Sequence, residues 1–247
     1  MKFGVKAWIL IGLSLFLLSR VLMGNLFFYI NQRFFLLTVF AIIGLLILGF
    51  SYRFRTDLDE HQPQHDHGTG HAHGASLSWT GLILIASPMV LGLLIPPRPL
   101  GAAAMTNRDI SLESLTSAAA PESEQILSKP KAERNILDWV LEFRSVSDRS
   151  SLAGEAVKVS GFVYRDERFG QDEFMVSRFV LSCCAADAAP LGMVVHWPDS
   201  PQLEADQWVE VSGIFEPGEF SGEPMPLILA DTVTPIEIPS QPYLYPF

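Results

Sequence analysis

Residues 155–165, EAVKVSGFVYR, and residues 207–215, QWVEVSGIF, decide the fold of the C-terminal half. In both stretches apolar residues alternate with polar ones, which is the pattern of a half-buried β-strand. Both also contain the run V-x-V-x-G, which ends at Gly161 in one and at Gly213 in the other. A glycine inside a strand permits the sharp bend by which a small barrel closes. The two stretches therefore predict strands of one small β-barrel.

Three more stretches of the same kind follow the chain: 173–183, 191–197 and 226–238, each bounded by glycine, proline or acidic residues. Five short strands fit an OB-like fold, which is a five-stranded, partly open Greek-key barrel. The segment 132–145, AERNILDWVLEFRS, repeats apolar residues at helical spacing. We therefore expect residues 131–247 to form an all-β, OB-like five-stranded barrel with one flanking helix.

Residues 1–98 have a different composition, with three long apolar runs at 7–23, 34–50 and 79–97. At about 1.5 Å per residue, each run can cross most of a bilayer core of roughly 30 Å. We predict three transmembrane helices in a lipid bilayer. The end of the first run lacks a small-x-small cleavage site, which disfavours a signal peptide. Arg20, near that end, is expected to reach the lipid headgroups.

The connecting segments complete the predicted organisation. Residues 56–76 form a polar loop between the second and third runs, and residues 99–130, rich in alanine, serine and proline, are predicted to be a linker. The first 55 residues carry six basic residues and no acidic one. Because short cytoplasmic flanks are rich in lysine and arginine, the N-terminus and the polar loop are predicted to be cytoplasmic. The C-terminal domain is then extracytoplasmic, on a chain integral to the inner cell membrane.

The polar loop is the first candidate metal-binding segment. It holds five of the six histidines of the chain and lacks apolar periodicity. Imidazole is a common ligand of borderline divalent ions, and zinc is the candidate metal. The alternative is a solvated tract that binds metal only weakly, because a flexible loop is not a rigid set of four ligands. The candidate ligands are His61, His65, His67, His71 and His73.

The second candidate metal site is the run SCCAADA at 182–188, which contains the only two cysteines of the chain. In a regular strand, Cys183 and Cys184 would point to opposite faces. If the chain turns there, both thiols and Asp187 converge, with His196 as a possible fourth ligand. A disulfide between adjacent cysteines would be strained, so free thiols or a metal thiolate are expected. The alternative is that both cysteines pack in the barrel as small apolar side chains.

Charge excludes one class of ligand for the barrel. Residues 131–247 contain eight basic and nineteen acidic residues. Many OB folds bind nucleic acid through a basic groove, whereas an acidic surface repels phosphate. We therefore predict no nucleic-acid partner.

The stretch RFVLSCCAADAAPLGMVV at 178–195 resembles a signature of the YcgQ-like family of bacterial membrane proteins, which are described as permease subunits. The segments YINQRF at 29–34 and WTGLILIASPMVLGLLIPPRPLG at 79–101 are also similar to that family. The resemblance implies a larger membrane permease as partner and an association with zinc homeostasis. It carries over no catalytic residue, and the His-rich loop varies within the family.

Three classes of function follow. The leading one is a membrane-anchored, non-enzymatic accessory subunit of a permease, handling a divalent metal ion such as zinc. The second is a thiol-dependent redox protein that uses Cys183 and Cys184. The third is a structural membrane protein with an interaction barrel. No C-x-x-C run and no phosphate-binding glycine loop is present in the sequence, so we expect no catalytic residues.

Overall fold

The computed structural model describes residues 2–59, 79–105, 129–146, 149–220 and 222–246. The chain divides into two compact units. The first, here the helical unit, comprises Met1–Phe27 and Gln32–Arg98. The second, the barrel unit, comprises Phe28–Asn31 and Pro99–Phe247.

The described part of the helical unit contains three α-helices: α1 (Lys2–Leu22), α2 (Phe35–Asp59) and α3 (Trp79–Leu94). Among the described helices, one is long and apolar enough to cross a membrane, against the three predicted. Its span is Gln32–Tyr52, with a mean hydropathy of 2.6 and only 11% of its apolar window buried. The apolar part of α1, Ala7–Leu22, is shorter. Helix α3 has 16 residues and ends just before two prolines, which lack the N–H that would continue it.

Polar side chains satisfy the backbone carbonyls that the prolines leave without donors. Ser87 donates to the Leu84 carbonyl at 2.9 Å, which the missing N–H of Pro88 leaves open. In the same way, Arg20 donates to the carbonyl of Gly92, the residue four positions before Pro96. Arg20 is only 6% exposed. The expectation that it reaches the lipid headgroups is therefore wrong, because its guanidinium satisfies this helix carbonyl instead.

The barrel unit contains the five predicted strands. They are hydrogen-bonded in the order β1-β2-β3-β5-β4, and β1 also pairs with β4, which closes the sheet into a barrel. All neighbouring pairs are antiparallel except β3 and β5, which are parallel. The strands are β1 (Ala156–Tyr164), β2 (Glu173–Val180), β3 (Ala189–His196), β4 (Trp208–Phe220) and β5 (Glu223–Pro235).

The two predicted bend glycines lie where strands approach too closely for a side chain. A Cβ on Gly161 would lie 2.5 Å from the carbonyl oxygen of Ser177 on β2. A Cβ on Gly213 would clash with the carbonyl of Leu229 on β5, and the β4–β5 register shifts between Ser212 and Gly213. Both positions therefore require glycine for the barrel to close.

A flanking helix, α5 (Ile136–Ser145), packs on the barrel as predicted. Its N-terminus is closed by a capping box in which Asn135 and Asp138 each accept a backbone N–H of the other. Trp139 and Phe143 contact Phe215 of β4 edge-on, with ring centroids 5.0 and 5.2 Å apart. The interior core therefore joins α5 to the barrel.

A second hydrophobic cluster includes residues from both ends of the barrel unit. Met105, at the end of the short helix α4 (Ala102–Met105), is 1% exposed and belongs to this cluster, as does Tyr243. The Tyr243 hydroxyl accepts the N–H of Leu100 at 2.8 Å. Pro99–Met105, which we expected to be linker, is thus part of the barrel unit. Residues 106–128 of the predicted linker lie outside the described residues.

Candidate metal site

The connection from β2 to β3, residues 181–188, is here called the Cys turn. Asp187 shapes it, because its carboxylate accepts the backbone N–H of Cys183 at 2.7 Å and that of Cys184 at 3.3 Å. The Asp187 N–H in turn donates to the Cys184 carbonyl at 3.0 Å, within a 3₁₀ turn over Ala185–Asp187. These bonds end the strand geometry and reverse the chain. The two thiols therefore do not point to opposite faces.

The turn brings three potential metal ligands together. The sulfur atoms of Cys183 and Cys184 are 3.7 Å apart, and a carboxylate oxygen of Asp187 lies within 4.8 Å of both. Both cysteines are free thiols, Cys183 exposed and Cys184 half-buried. Neither belongs to a hydrophobic cluster of the barrel unit. The alternative that these cysteines pack as core residues is therefore wrong.

The metal-free turn holds a protonated thiol beside an ionised carboxylate. The hydrogen bond to Asp187, followed by that to Cys184, raises the pKa of Cys183 to about 12. For Asp187, burial favours the neutral acid, but hydrogen bonds from the Cys183 thiol and from backbone N–H groups outweigh it and lower the pKa. A cation that bound at this position would have to displace the thiol proton of Cys183.

The donor set suits zinc. Two thiolates and one carboxylate are among the ligands that zinc prefers, and three protein ligands leave the fourth tetrahedral position open. Two sulfur atoms about 2.3 Å from one tetrahedral zinc ion are about 3.8 Å apart. The separation of 3.7 Å between the Cys183 and Cys184 sulfurs is close to that value. The turn therefore holds its thiols at a spacing that a single ion can bridge.

The other predicted ligands do not join this group. His196 is the last residue of β3, whereas the Cys turn precedes the first residue of that eight-residue strand. At about 3.4 Å per residue the two ends are on the order of 20 Å apart. His196 pairs in register with Glu173 and Leu229 instead. The five histidines of the His-rich loop, His61, His65, His67, His71 and His73, lie outside the described residues.

A short segment from the N-terminal third supports the Cys turn. Residues Phe28–Asn31 belong to the barrel unit. The Asn31 N–H donates to the Cys183 carbonyl at 2.9 Å, and the Ala185 N–H donates to the Tyr29 carbonyl at 2.8 Å. Ile30 thereby forms an antiparallel bridge with Cys184. This pairing fixes the backbone of both cysteines.

The Asn31 side chain adds two further bonds. Its amide donates to the carbonyls of Leu181 and Ser182 at 3.1 and 3.0 Å, and the residue is 1% exposed. Sequence reasoning missed this contact, because the partners are 150 residues apart and a four-residue segment has no periodicity. A polar residue within the apolar-aromatic run LFFYIN is the only local signal.

Metal binding is expected to release protons. Because the metal-free Cys183 thiol stays protonated up to a pKa of about 12, each bound ion must displace at least that proton at neutral pH. Asp187, whose pKa is lowered, is already ionised there and releases none. Affinity should therefore rise at least about tenfold per pH unit between pH 6 and 8. Calorimetric titration in two buffers of different ionisation enthalpy measures the proton count. A pH-independent affinity would contradict the proposed thiolate ligand.

Comparison with known proteins gives matches over both units. The family described as DUF1980 N-terminal domain matches residues 5–111, and that described as DUF1980 C-terminal domain matches residues 132–246. The UPF0703 protein YcgQ of Bacillus subtilis (strain 168) is 24% identical over 94 residues, 37% of this chain and 33% of that protein. The match thus spans about a third of this curated relative. No solved structure matches the chain. Together the two matches extend over most of the sequence, so the chain is similar to both the N-terminal and the C-terminal DUF1980 domain.

Proposed function

We propose that this protein is a membrane-anchored, non-enzymatic accessory subunit of a larger permease, and that its barrel binds a divalent metal ion such as zinc at the Cys turn. The observation that carries the proposal is the convergence of Cys183, Cys184 and Asp187 within 4.8 Å on an accessible turn. The permease and the link to zinc rest on the family resemblance. The histidines of the 56–76 loop are proposed as a second, cytoplasmic metal-gathering segment.

Membrane anchoring is supported by the exposure of α2. A core helix of a water-soluble protein buries most of its apolar surface, whereas the span Gln32–Tyr52 is 11% buried. Leu36, Leu37 and Phe40 are each more than 60% exposed. Such a surface suits lipid.

The chain path supports a return crossing by α3. Phe28–Asn31 and Pro99–Met105 both belong to the barrel unit, and α2 and α3 lie between them in the chain. If α2 crosses the bilayer, α3 must cross it back. Helix α3 is about 24 Å long, and a short span is accommodated by local thinning of the bilayer.

The fold is best described as OB-like, and the charge of the chain argues against nucleic acid. The five strands form a barrel in the order β1-β2-β3-β5-β4, and the OB fold is likewise a five-stranded barrel, although a partly open one. The formal net charge of −10 disfavours a polyphosphate partner and suits a cation.

A thiol-redox function is less well supported. The reactive form of cysteine is the thiolate, and redox cysteines have lowered pKa values. Here hydrogen bonds to Asp187 and Cys184 raise the pKa of Cys183 to about 12. A metal ion, by contrast, can bind by displacing the thiol proton of Cys183, so the raised pKa is compatible with metal binding.

Sidedness can be tested by cysteine labelling, because the chain has only two native cysteines to replace. We expect a membrane-impermeant maleimide to label Gln202→Cys, at an exposed position of the barrel unit in a chain whose Cys183 and Cys184 are serine, in intact cells. The control is a variant in which both native cysteines are serine and Ser76 is cysteine, which should be labelled only after permeabilisation. The reverse pattern would show that the barrel is cytoplasmic.

The metal function is tested by equilibrium dialysis of the full-length protein in detergent against zinc. We expect one ion bound per chain in excess of that bound by the His-rich loop. Deleting residues 60–74 separates the two contributions. A loop-deleted chain that retains no zinc would remove the Cys turn as a metal site.

A further inference from the structure

Among the described residues before Pro99, the segment Phe28–Asn31 alone belongs to the barrel unit. It lies between Leu22, where α1 ends, and Phe35, where α2 begins. Its partner in the barrel unit is the backbone of the Cys turn. The connection between the first two apolar helices is thus hydrogen-bonded to the turn that carries the candidate metal ligands.

Four hydrogen bonds make this attachment, and two come from one side chain. The Asn31 amide donates to Leu181 and Ser182, the two residues directly before Cys183, at 3.1 and 3.0 Å. The Asn31 N–H adds a third bond, to the Cys183 carbonyl at 2.9 Å. The fourth runs from the Ala185 N–H to the Tyr29 carbonyl. Asn31 therefore holds carbonyl groups of the turn, whereas Asp187 holds the N–H groups of Cys183 and Cys184.

The segment is also held at its other end. The Tyr243 hydroxyl donates to the Phe28 carbonyl at 3.2 Å, and it accepts the Leu100 N–H at 2.8 Å. Tyr243 is 2% exposed. Phe28 is thus held by the same hydroxyl that holds the chain after α3. The segment Phe28–Asn31 is therefore an integral part of the barrel unit.

We propose that Asn31 is a positioning residue of the Cys turn, and that metal binding there is thermodynamically linked to docking of Phe28–Asn31. This inference rests on the proposed metal-binding function. Two adjacent thiols and a carboxylate can coordinate one ion only while the turn keeps its backbone conformation. The hydrogen bonds from Asn31 restrict the turn to that conformation. Because linkage is reciprocal, metal that favours the shaped turn must favour the docked segment to the same degree. Metal binding at the Cys turn would thereby stabilise the docked form of Phe28–Asn31, in the connection between α1 and α2.

The test uses full-length protein in detergent, with residues 60–74 deleted to remove the histidine ligands, and Cd²⁺ as the probe. The ultraviolet absorption of the Cd²⁺–thiolate bond reports the number of bound thiolates. We expect Asn31→Ala to weaken Cd²⁺ binding roughly 10- to 100-fold, the usual effect of losing a residue that orients metal ligands. The absorption at saturation should still show two thiolates. Asn25→Ala, in the same connection but outside the barrel unit, should bind as the parent does.

A second measurement needs no substitution. Cd²⁺ should slow amide hydrogen exchange at Ile30 and Asn31 in the parent protein.

A further variant tests the amide group itself. Asn31→Asp, which keeps the side-chain size but loses the amide donor, should bind Cd²⁺ as weakly as Asn31→Ala does. Equal Cd²⁺ affinity of Asn31→Ala and parent, or exchange unaffected by Cd²⁺, would overturn the linkage alone. A parent that binds no Cd²⁺, or a Cys183→Ser/Cys184→Ser variant that binds it equally in equilibrium dialysis, would overturn the proposed function as well.

Discussion

Replacing Cys183 and Cys184 by serine is expected to abolish metal binding at the Cys turn while leaving the barrel folded. The double substitution removes two of three ligand atoms, and a serine hydroxyl stays protonated and binds zinc poorly. The loss should exceed the roughly 10- to 100-fold that follows loss of an outer-shell residue. Folding should be unaffected, because Cys183 is exposed, Cys184 is half-buried and neither joins a hydrophobic cluster.

The measurement is equilibrium dialysis against Cd²⁺ of the protein with residues 60–74 deleted, because ultraviolet absorption reports only thiolate-bound Cd²⁺, and a thermal melt is recorded on the same samples. Ser182→Ala is the matched control, since it alters the adjacent residue and keeps both thiols. A folded double variant with unchanged affinity would remove the cysteines as ligands. A double variant with a strongly lowered melting temperature would instead indicate a structural role for the thiols.

Replacing Phe215 by alanine is expected to destabilise the barrel unit by about 3 to 5 kcal/mol, the usual cost of deleting a buried phenyl ring. Phe215 is 0% exposed, and its ring contacts both Trp139 and Phe143 of α5. Loss of the ring opens a cavity between α5 and the barrel. Because domains are stable by about 5 to 15 kcal/mol, this is a large share of the total.

Urea unfolding of the full-length protein in detergent, followed by near-ultraviolet circular dichroism, measures the loss. Phe220→Ala is the matched control. Phe220 is half-buried and stacks on Phe169 at 4.9 Å near the tip of the β4–β5 hairpin, so its loss should cost about 1 kcal/mol. Similar losses for the two variants would mean that the core is not centred on Phe215.

The strands, their glycines and the flanking helix were predictable from the sequence, because each depends on a local pattern. Alternation over a few residues defines a half-buried strand, and helical spacing of apolar residues from Ile136 to Phe143 defines α5. Gly161 and Gly213 were predictable as bends for the same reason. The membrane helices were predicted less well. The length of an apolar run can be read from the sequence. The residue at which α3 ends before Pro96 depends instead on hydrogen bonds between backbone groups, and only one of the described helices is long enough to span a membrane.

The Cys turn was only half predictable. The residues of SCCAADA carry ligand chemistry, yet sequence cannot tell whether two adjacent cysteines continue a strand or leave it. Asp187 decides this by accepting the N–H groups of Cys183 and Cys184. His196 was grouped with them as a residue of the next strand, but the extended length of β3 places it at the other end of that strand.

The sequence by itself determined the strand count, the flanking helix, the apolar character of the N-terminal region and the residue types that can bind a metal. Tertiary structure alone decided that Arg20 satisfies the Gly92 carbonyl, that Pro99–Met105 belongs to the barrel unit, and that Asn31 supports the Cys turn. The physical reason is the separation of the bonded residues along the chain. Periodicity reflects contacts within one helix or strand, whereas these bonds join residues 72 to 151 positions apart, and no local pattern encodes a partner at that distance.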